Sequence, residues 1–168
     1  LAGLMARYDP QKNHAGFIEA AALVHAEIPD AHFILAGSGV DENNATLRAA
    51  IAAHGLGARM HLLGRRDDMP RLMASLDVLA SSSHGEAFPN VLGEAMACGV
   101  PCVTTDVGDS AEIVGETGRV VEPGNMRRLA QNIVAVLRLP AGERSLLAQA
   151  ARERIAARYE ISHVAQLY

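Results

Sequence analysis

Short, nearly continuous apolar runs alternate with longer mixed ones along the whole chain. The runs Leu1 to Ala6, His32 to Gly37, Met60 to Gly64, Asp77 to Ser82, Pro101 to Thr105 and Gly118 to Val121 predict strands buried on both faces. Between them lie Asn13 to Glu27, Asn44 to His54, Met69 to Leu76, Asn90 to Cys98 and Met126 to Leu137, each long enough for two or more helical turns. In the third of these, Met69, Leu72, Met73 and Leu76 fall at i, i+3, i+4 and i+7, one helix face resting on a sheet. A last Arg- and Ala-rich helix is expected over Glu143 to Arg158, and another helix-like stretch runs on to Tyr168. Such alternation predicts an α/β fold, a doubly wound, Rossmann-like parallel sheet of about six strands with helices on both faces. No internal repeat or linker divides the chain, so residues 1–168 read as one domain.

In a sheet of this kind ligands bind at the carboxyl ends of the strands, where the connecting loops converge. The loops to read are therefore "RYDPQKNH", "GSGVDENN", "GRRDDMP", "SSSHGEAFPN" and "TDVGDSAE", all rich in glycine and polar residues.

Composition narrows the function classes. The 168 residues are 49% hydrophobic and 20% charged, with a formal net charge of −4, which suits a domain with a core of its own. No run of about 18 apolar residues is present, and the amino terminus lacks the basic-then-apolar pattern of a signal peptide. The expectation is a cytoplasmic protein without a membrane span. Cys98 and Cys102 are too few for a disulfide framework or a four-ligand zinc site, and both sit in apolar runs, so no metal site is expected. A slightly acidic chain with three Phe, three Tyr and no Trp lacks the basic footprint and stacking surface of a nucleic-acid binder. The chain opens on Leu1, already inside a strand-like run, and reads as a fragment of a longer protein.

Two loops carry candidate chemistry. Arg7 and Lys12 follow the first strand, and Lys12 is the only lysine among the fifteen Lys and Arg residues. A lysine is a compact point charge and an arginine a planar fork, so the pair could clamp a diphosphate from two sides; the plainer reading is a solvated loop. In the loop after the fourth strand, Asn90 reads as a helix cap following Pro89, Val91 to Ala97 as helical, and Gly99 with Pro101 as the stop. The first N–H groups of that helix would face Glu86, and such a terminus attracts anions. Glu94, one turn in, can point to the same crevice, where a carboxylate suits a ribose diol; Glu86 could hold another polyol. The plainer reading is that both only offset the helix dipole.

Other loop residues say less. Gly37 and Gly39 begin a dinucleotide fingerprint, but Glu42 stands where a third glycine belongs, which leaves Gly37 open between a tight turn and ligand contact. Asp106 reads as a cap for the segment after it, Asp67 and Asp68 as helix-start residues, the backbone around Arg65 as a border for a base, and His84 as a solvated loop histidine.

The stretches "ARYDPQKNH", "HLLGRRDDMPRLMASLDVLASSS", "GEAFPNVLGEAMACGVPCVTTDVGDSAEIV" and "TGRVVEPGN" together resemble the carboxy-terminal, nucleotide-sugar-binding half of a group 1 glycosyltransferase, the retaining family with the GT-B fold. The most specific element is Glu86 and Glu94 with seven residues between them, embedded in Phe-Pro-Asn-Val-Leu and followed by Ala-Met-Ala-Cys-Gly-Val-Pro. The resemblance implies that Arg7 and Lys12 grip the donor diphosphate and that Glu86 faces the donor sugar beside the reacting carbon. It implies that Phe88 and Pro89 lie in a loop whose N–H groups hold sugar hydroxyls. Val91 and Leu92 would offer amides to phosphate oxygens, with Asn90 beside them, and Glu94 would bind the ribose. Two positions depart from the family pattern. Ala87 stands where glycine is usual, which bears on how the sugar loop packs, and Asp109 stands where a second glycine often follows Gly108, which argues against a close backbone approach at that rim.

The activity implied by the resemblance is transfer of a sugar from a UDP-, GDP- or ADP-type donor to a hydroxyl acceptor with retention, without a metal or other cofactor. Arg7, Lys12 and the helix amides would stabilise the departing diphosphate. The acceptor site would lie on an amino-terminal domain absent from this chain, through which the protein would also touch a membrane peripherally. The chain alone is then expected to bind donor weakly and to be inactive. Three other readings compete: a glycoside hydrolase using the two carboxylates, in which the basic pair has no role; a nicotinamide-dependent oxidoreductase, disfavoured by the broken fingerprint; and a non-catalytic nucleotide-sugar-binding or interaction module.

Overall fold

Six strands form where the apolar runs are densest: β1 (Ala2–Met5), β2 (Phe33–Ala36), β3 (Met60–Leu62), β4 (Val78–Ser81), β5 (Cys102–Thr105) and β6 (Arg119–Val121). In the computed structural model, which describes residues 1–160, all six pair in parallel in the order β3-β2-β1-β4-β5-β6. The helix-like stretch ending at Tyr168 lies outside the described residues. Helices α1 (His14–Glu27), α2 (Ala45–Ala53), α3 (Met69–Ala74), α4 (Asn90–Ala97), α5 (Ser110–Val114), α6 (Met126–Leu137) and α7 (Ala141–Tyr159) complete the fold.

Successive strand side chains point to opposite faces, so the sheet feeds two cores. Leu4, Phe33, Leu35, Val78 and Ala80 meet α1, α2 and α6 on one face. Met5, Ile34, Ala36, Leu79 and Cys102 meet α3, α4, α5 and α7 on the other. The edge-to-face pair of Phe17 and Phe33, with ring centroids 6.4 Å apart, fastens α1 to β2. Each fully buried Leu or Phe of these cores contributes about 1.5–3 kcal/mol.

Among the described residues, three of the seven α-helices start at asparagine caps. Asn13, Asn44 and Asn125 cap α1, α2 and α6 by accepting the amides of Gly16, Leu47 and Arg128 at 3.0, 3.1 and 3.0 Å. Asn90 does not cap: it is the first residue of α4, because Pro89, with φ of −77°, takes the cap position and turns the chain one residue sooner. Asp106 does not cap either. Its amide is held by the Val121 carbonyl at 2.8 Å, and α5, too short to show a helical period in sequence, begins four residues later. Asp68 does stand at the start of α3, but its carboxylate is occupied by the Arg66 guanidinium at 2.8 Å rather than by a helix amide.

The strand order reverses between β1 and β4. The loop leaving β1 goes to α1 on one face and the loop leaving β4 goes to α4 on the other, which opens a crevice above the middle of the sheet.

Candidate functional site

The loop after β1 is built to present Lys12. The Asp9 carboxylate accepts the Gln11 amide at 2.9 Å and caps a single 3₁₀ turn, Pro10–Lys12. Asn13 then adopts a left-handed conformation with φ of 50°, unusual for a residue with a side chain. Its side-chain nitrogen donates to the Ser82 carbonyl at 3.1 Å, while the buried Ser82 hydroxyl lies 3.1 and 2.9 Å from the carbonyls of Lys12 and Asn13. The β1 loop is thereby stitched to the end of β4.

Held this way, the Lys12 ammonium reaches both oxygens of Glu86, at 2.6 and 2.8 Å. The two side chains are only 22% and 11% exposed. Ser83 donates to the same Glu86 carboxylate at 2.7 Å, and Thr105 on β5 donates to the Ser83 carbonyl at 2.7 Å. Three neighbouring strands thus fix one carboxylate.

Two adjoining cavities occupy the crevice. The first, about 270 Å³, is lined by Arg7, Lys12, Ser83, Glu86, Asn90 and Val91 above the ends of β1 and β4. The second, about 300 Å³, shares Met5, Ala6, Arg7 and Val91 with the first and continues past Gly37, Arg65 and Glu94. Arg7, 67% exposed, stands at their junction with its guanidinium 3.1 and 3.2 Å from one Asp9 oxygen. The Gln11 amide and then the Arg7 guanidinium hold the Asp9 carboxyl below its ordinary value of 3.8.

Most of the sequence-predicted residues meet here. Arg7, Lys12 and Glu86 line the first cavity with Phe88, Pro89 and Asn90, while Glu94 lines the second, which adjoins it through Arg7 and Val91. Glu94 is exposed and forms no ion pair among the described residues. Gly37 has φ of 153°, and a Cβ there would stand 2.0 Å from the Ala6 carbonyl oxygen, so glycine is what lets the loops after β1 and β2 pass. Arg65 lies exposed on the rim, and Phe88 packs its ring edge-to-face on Tyr159 with centroids 5.9 Å apart. His84 is exposed, as expected of a loop histidine.

Leu92 is the exception. Its amide is spent on the Pro89 carbonyl at 3.0 Å and its side chain is wholly buried, because the helix begins with a tight turn at the proline. Of the two amides expected to face an anion, only that of Val91 lacks a backbone acceptor among the described residues. The expectation drawn from Asp109 is also corrected. Gly108 does approach the Glu86 loop closely, and the Asp109 amide donates to the Ala87 carbonyl at 3.0 Å, a contact that needs no side chain at 109 to be small.

Sequence reasoning passed over Ser82, Ser83, Thr105 and Asp9, the residues that orient the charged groups. The signal was present as three consecutive serines at the end of an apolar strand, since hydroxyls buried there need partners. Among the described residues no cluster of three or more His, Cys, Asp or Glu side chains could hold a metal ion, and no helix is long and apolar enough to cross a membrane. Both cysteines are free thiols, and burial pushes that of Cys102 up.

The family model described as glycosyl transferases group 1 matches residues 1–138. An N-acetyl-alpha-D-glucosaminyl L-malate synthase of Bacillus anthracis is 33% identical over 85% of this chain and 39% of its own length. A phosphatidyl-myo-inositol mannosyltransferase of Mycobacterium leprae is 35% identical over 80% of this chain and 36% of its own. The chain therefore spans less than half the length of these curated relatives. Among solved structures, HepE of Anabaena in complex with UDP-glucose superposes with a TM-score of 0.87 at 30% identity, covering 99% of this chain and 46% of that one.

Proposed function

Because the chain belongs to the glycosyl transferases of group 1, we propose that it is the donor-binding half of a retaining enzyme that moves a sugar from a nucleoside-diphosphate donor to a hydroxyl acceptor. The observation that carries this reading is the convergence of Arg7, Lys12, Glu86, Glu94 and the Val91 amide on one crevice at the point where the strand order reverses. The diphosphate lies in the first cavity, met by Lys12, Arg7 and the Val91 amide at the amino end of α4, where the helix dipole favours negative charge. Glu86 faces the sugar. The second cavity takes the nucleoside, with Glu94 accepting the ribose hydroxyls and the backbone near Gly37 and Arg65 bordering the base. UDP-glucose and UDP complexes of HepE favour a uridine-type donor.

Departure of the nucleoside diphosphate is the demanding step, since negative charge builds on its outer phosphate. Fixed cations and an oriented amide stabilise that charge without reorganising. The acceptor comes from an amino-terminal domain, the partner across the cleft and the route of any peripheral membrane contact, so the chain alone binds donor weakly and does not transfer. Two free thiols suit a reducing, cytoplasmic setting.

Calorimetric titration with UDP, GDP and ADP tests the reading. One of the three is expected to bind, and Glu94→Ala is expected to weaken it by roughly tenfold, the worth of hydrogen bonds to a charged group. Unchanged affinity would remove Glu94 from the site. The anomeric configuration of the product, followed by NMR on the intact enzyme, tests retention.

A further inference from the structure

We propose that the Lys12–Glu86 ion pair is a clasp that competes with the diphosphate for Lys12 and expels the nucleoside diphosphate once the sugar has been transferred. The inference rests on the donor-binding reading above and adds a second duty to the same two residues.

The geometry sets the competition. Lys12 lies 2.6 and 2.8 Å from the two Glu86 oxygens, so the group assigned to the phosphates is already engaged by the group assigned to the sugar. Neither partner is loosely held. The Lys12 carbonyl is tied to Ser82, Glu86 accepts from Ser83, and Ser83 is itself anchored by Thr105. With side chains 22% and 11% exposed, water is a poor substitute for either partner. Arg7 differs. Its side chain is 67% exposed against 24% for Asp9, so water can replace the carboxylate on the arginine side and parting these two charges has less consequence.

Two ligands then have different effects on the clasp. A nucleotide sugar brings phosphate oxygens to Lys12 and hydroxyl donors to Glu86, so both charges exchange one partner for another. A nucleoside diphosphate satisfies Lys12 alone and leaves Glu86 largely buried with Ser83 as its remaining donor. A carboxylate so stranded is unfavourable, and it recovers by drawing Lys12 back. After transfer the pair therefore re-forms and displaces the product. No covalent bond is made or broken in this step; one ion pair replaces another.

Glu86→Gln in the intact protein tests the clasp, because Gln keeps the shape and the Ser83 contact while removing the charge that holds Lys12. UDP, or whichever of GDP and ADP the wild type prefers, is expected to bind the variant about fivefold more tightly. Uridine, which has no phosphate, is expected to bind both alike, and the preference for the nucleotide sugar over the nucleoside diphosphate is expected to fall. Glu86→Asp, which shortens the acid, should show a smaller gain of the same sign and serves if the Gln variant melts early. Equal or weaker diphosphate binding by folded Glu86→Gln overturns the clasp and leaves the donor site standing. Failure of the wild type to bind any of the three nucleotides overturns the donor reading, and the clasp with it.

Discussion

Gly108 rests against the backbone of Glu86 so closely that a Cβ at position 108 would stand 2.4 Å from the Glu86 carbonyl oxygen and 2.3 Å from that of Ala87. Its φ of 51° lies in the left-handed region as well. Gly108→Ala therefore forces the Glu86 loop to shift, and it is expected to lower stability by about 1–3 kcal/mol and, on the proposed function, to weaken nucleotide-sugar binding. Gly57→Ala, where a Cβ meets nothing, is the control in thermal melts and titrations. Equal behaviour of the two variants would show that the loop tolerates the displacement.

Lys12→Ala separates phosphate contact from general loosening. The variant loses the compact cation at the first cavity while the second cavity keeps its lining. UDP affinity is expected to fall roughly tenfold by calorimetry, with uridine affinity unchanged. Matching losses for both ligands would mean that Lys12 does not touch the phosphates.

Thr105→Val is nearly isosteric and removes the hydroxyl that donates to the Ser83 carbonyl at 2.7 Å in a fully buried setting. The stranded carbonyl is expected to lower stability by about 1–3 kcal/mol in urea denaturation. Turnover of the intact enzyme should fall more than the folded fraction accounts for, because Ser83 then orients Glu86 less well. Thr105→Ser, which restores the donor, should recover most of both.

His14 supplies a pH dependence. It is 3% exposed, and neither ring nitrogen has a hydrogen-bond partner among the described residues. Burial lowers its pKa from 6.5. The unfolded chain therefore takes up a proton near pH 6.5 that the folded chain refuses. Stability contributed by the neutral ring is present above that value and declines as the pH falls below it, until the folded-state pKa is reached. The slope for one group is at most about 1.4 kcal/mol per pH unit. Urea denaturation between about pH 7.5 and 5 should show a shallower decline for His14→Leu than for the wild type. Parallel curves would assign the decline to other histidines.

Much of this was legible because it depends on local pattern. Runs such as Phe33 to Ala36 are apolar at every position only when both faces of a strand are covered, and the segments after them held Arg7, Lys12 and Glu86 in loops and Glu94 in the first turns of a helix, at the one edge where a parallel sheet binds ligands. The rest stayed hidden because it was set by contacts between distant segments. Nothing near Lys12 in sequence tells of Glu86, 74 residues on, as its counter-ion. Nothing near Asp109 tells that its amide will find the Ala87 carbonyl. Asn90 lost the cap to a neighbouring proline, and the five residues of α5 are too few to show a period of 3.6.

Lys12 is laid down by the first strand's loop and Glu86 by the fourth's, so half a sheet owns no such crevice. A ligand of that crevice, the proposed nucleotide sugar included, would recognise only finished molecules, and by mass action each one captured would draw the population toward the native form. On the proposed donor-binding reading, a shortage of that ligand would leave the protein easier to unfold, tying its abundance to the supply of what its crevice holds.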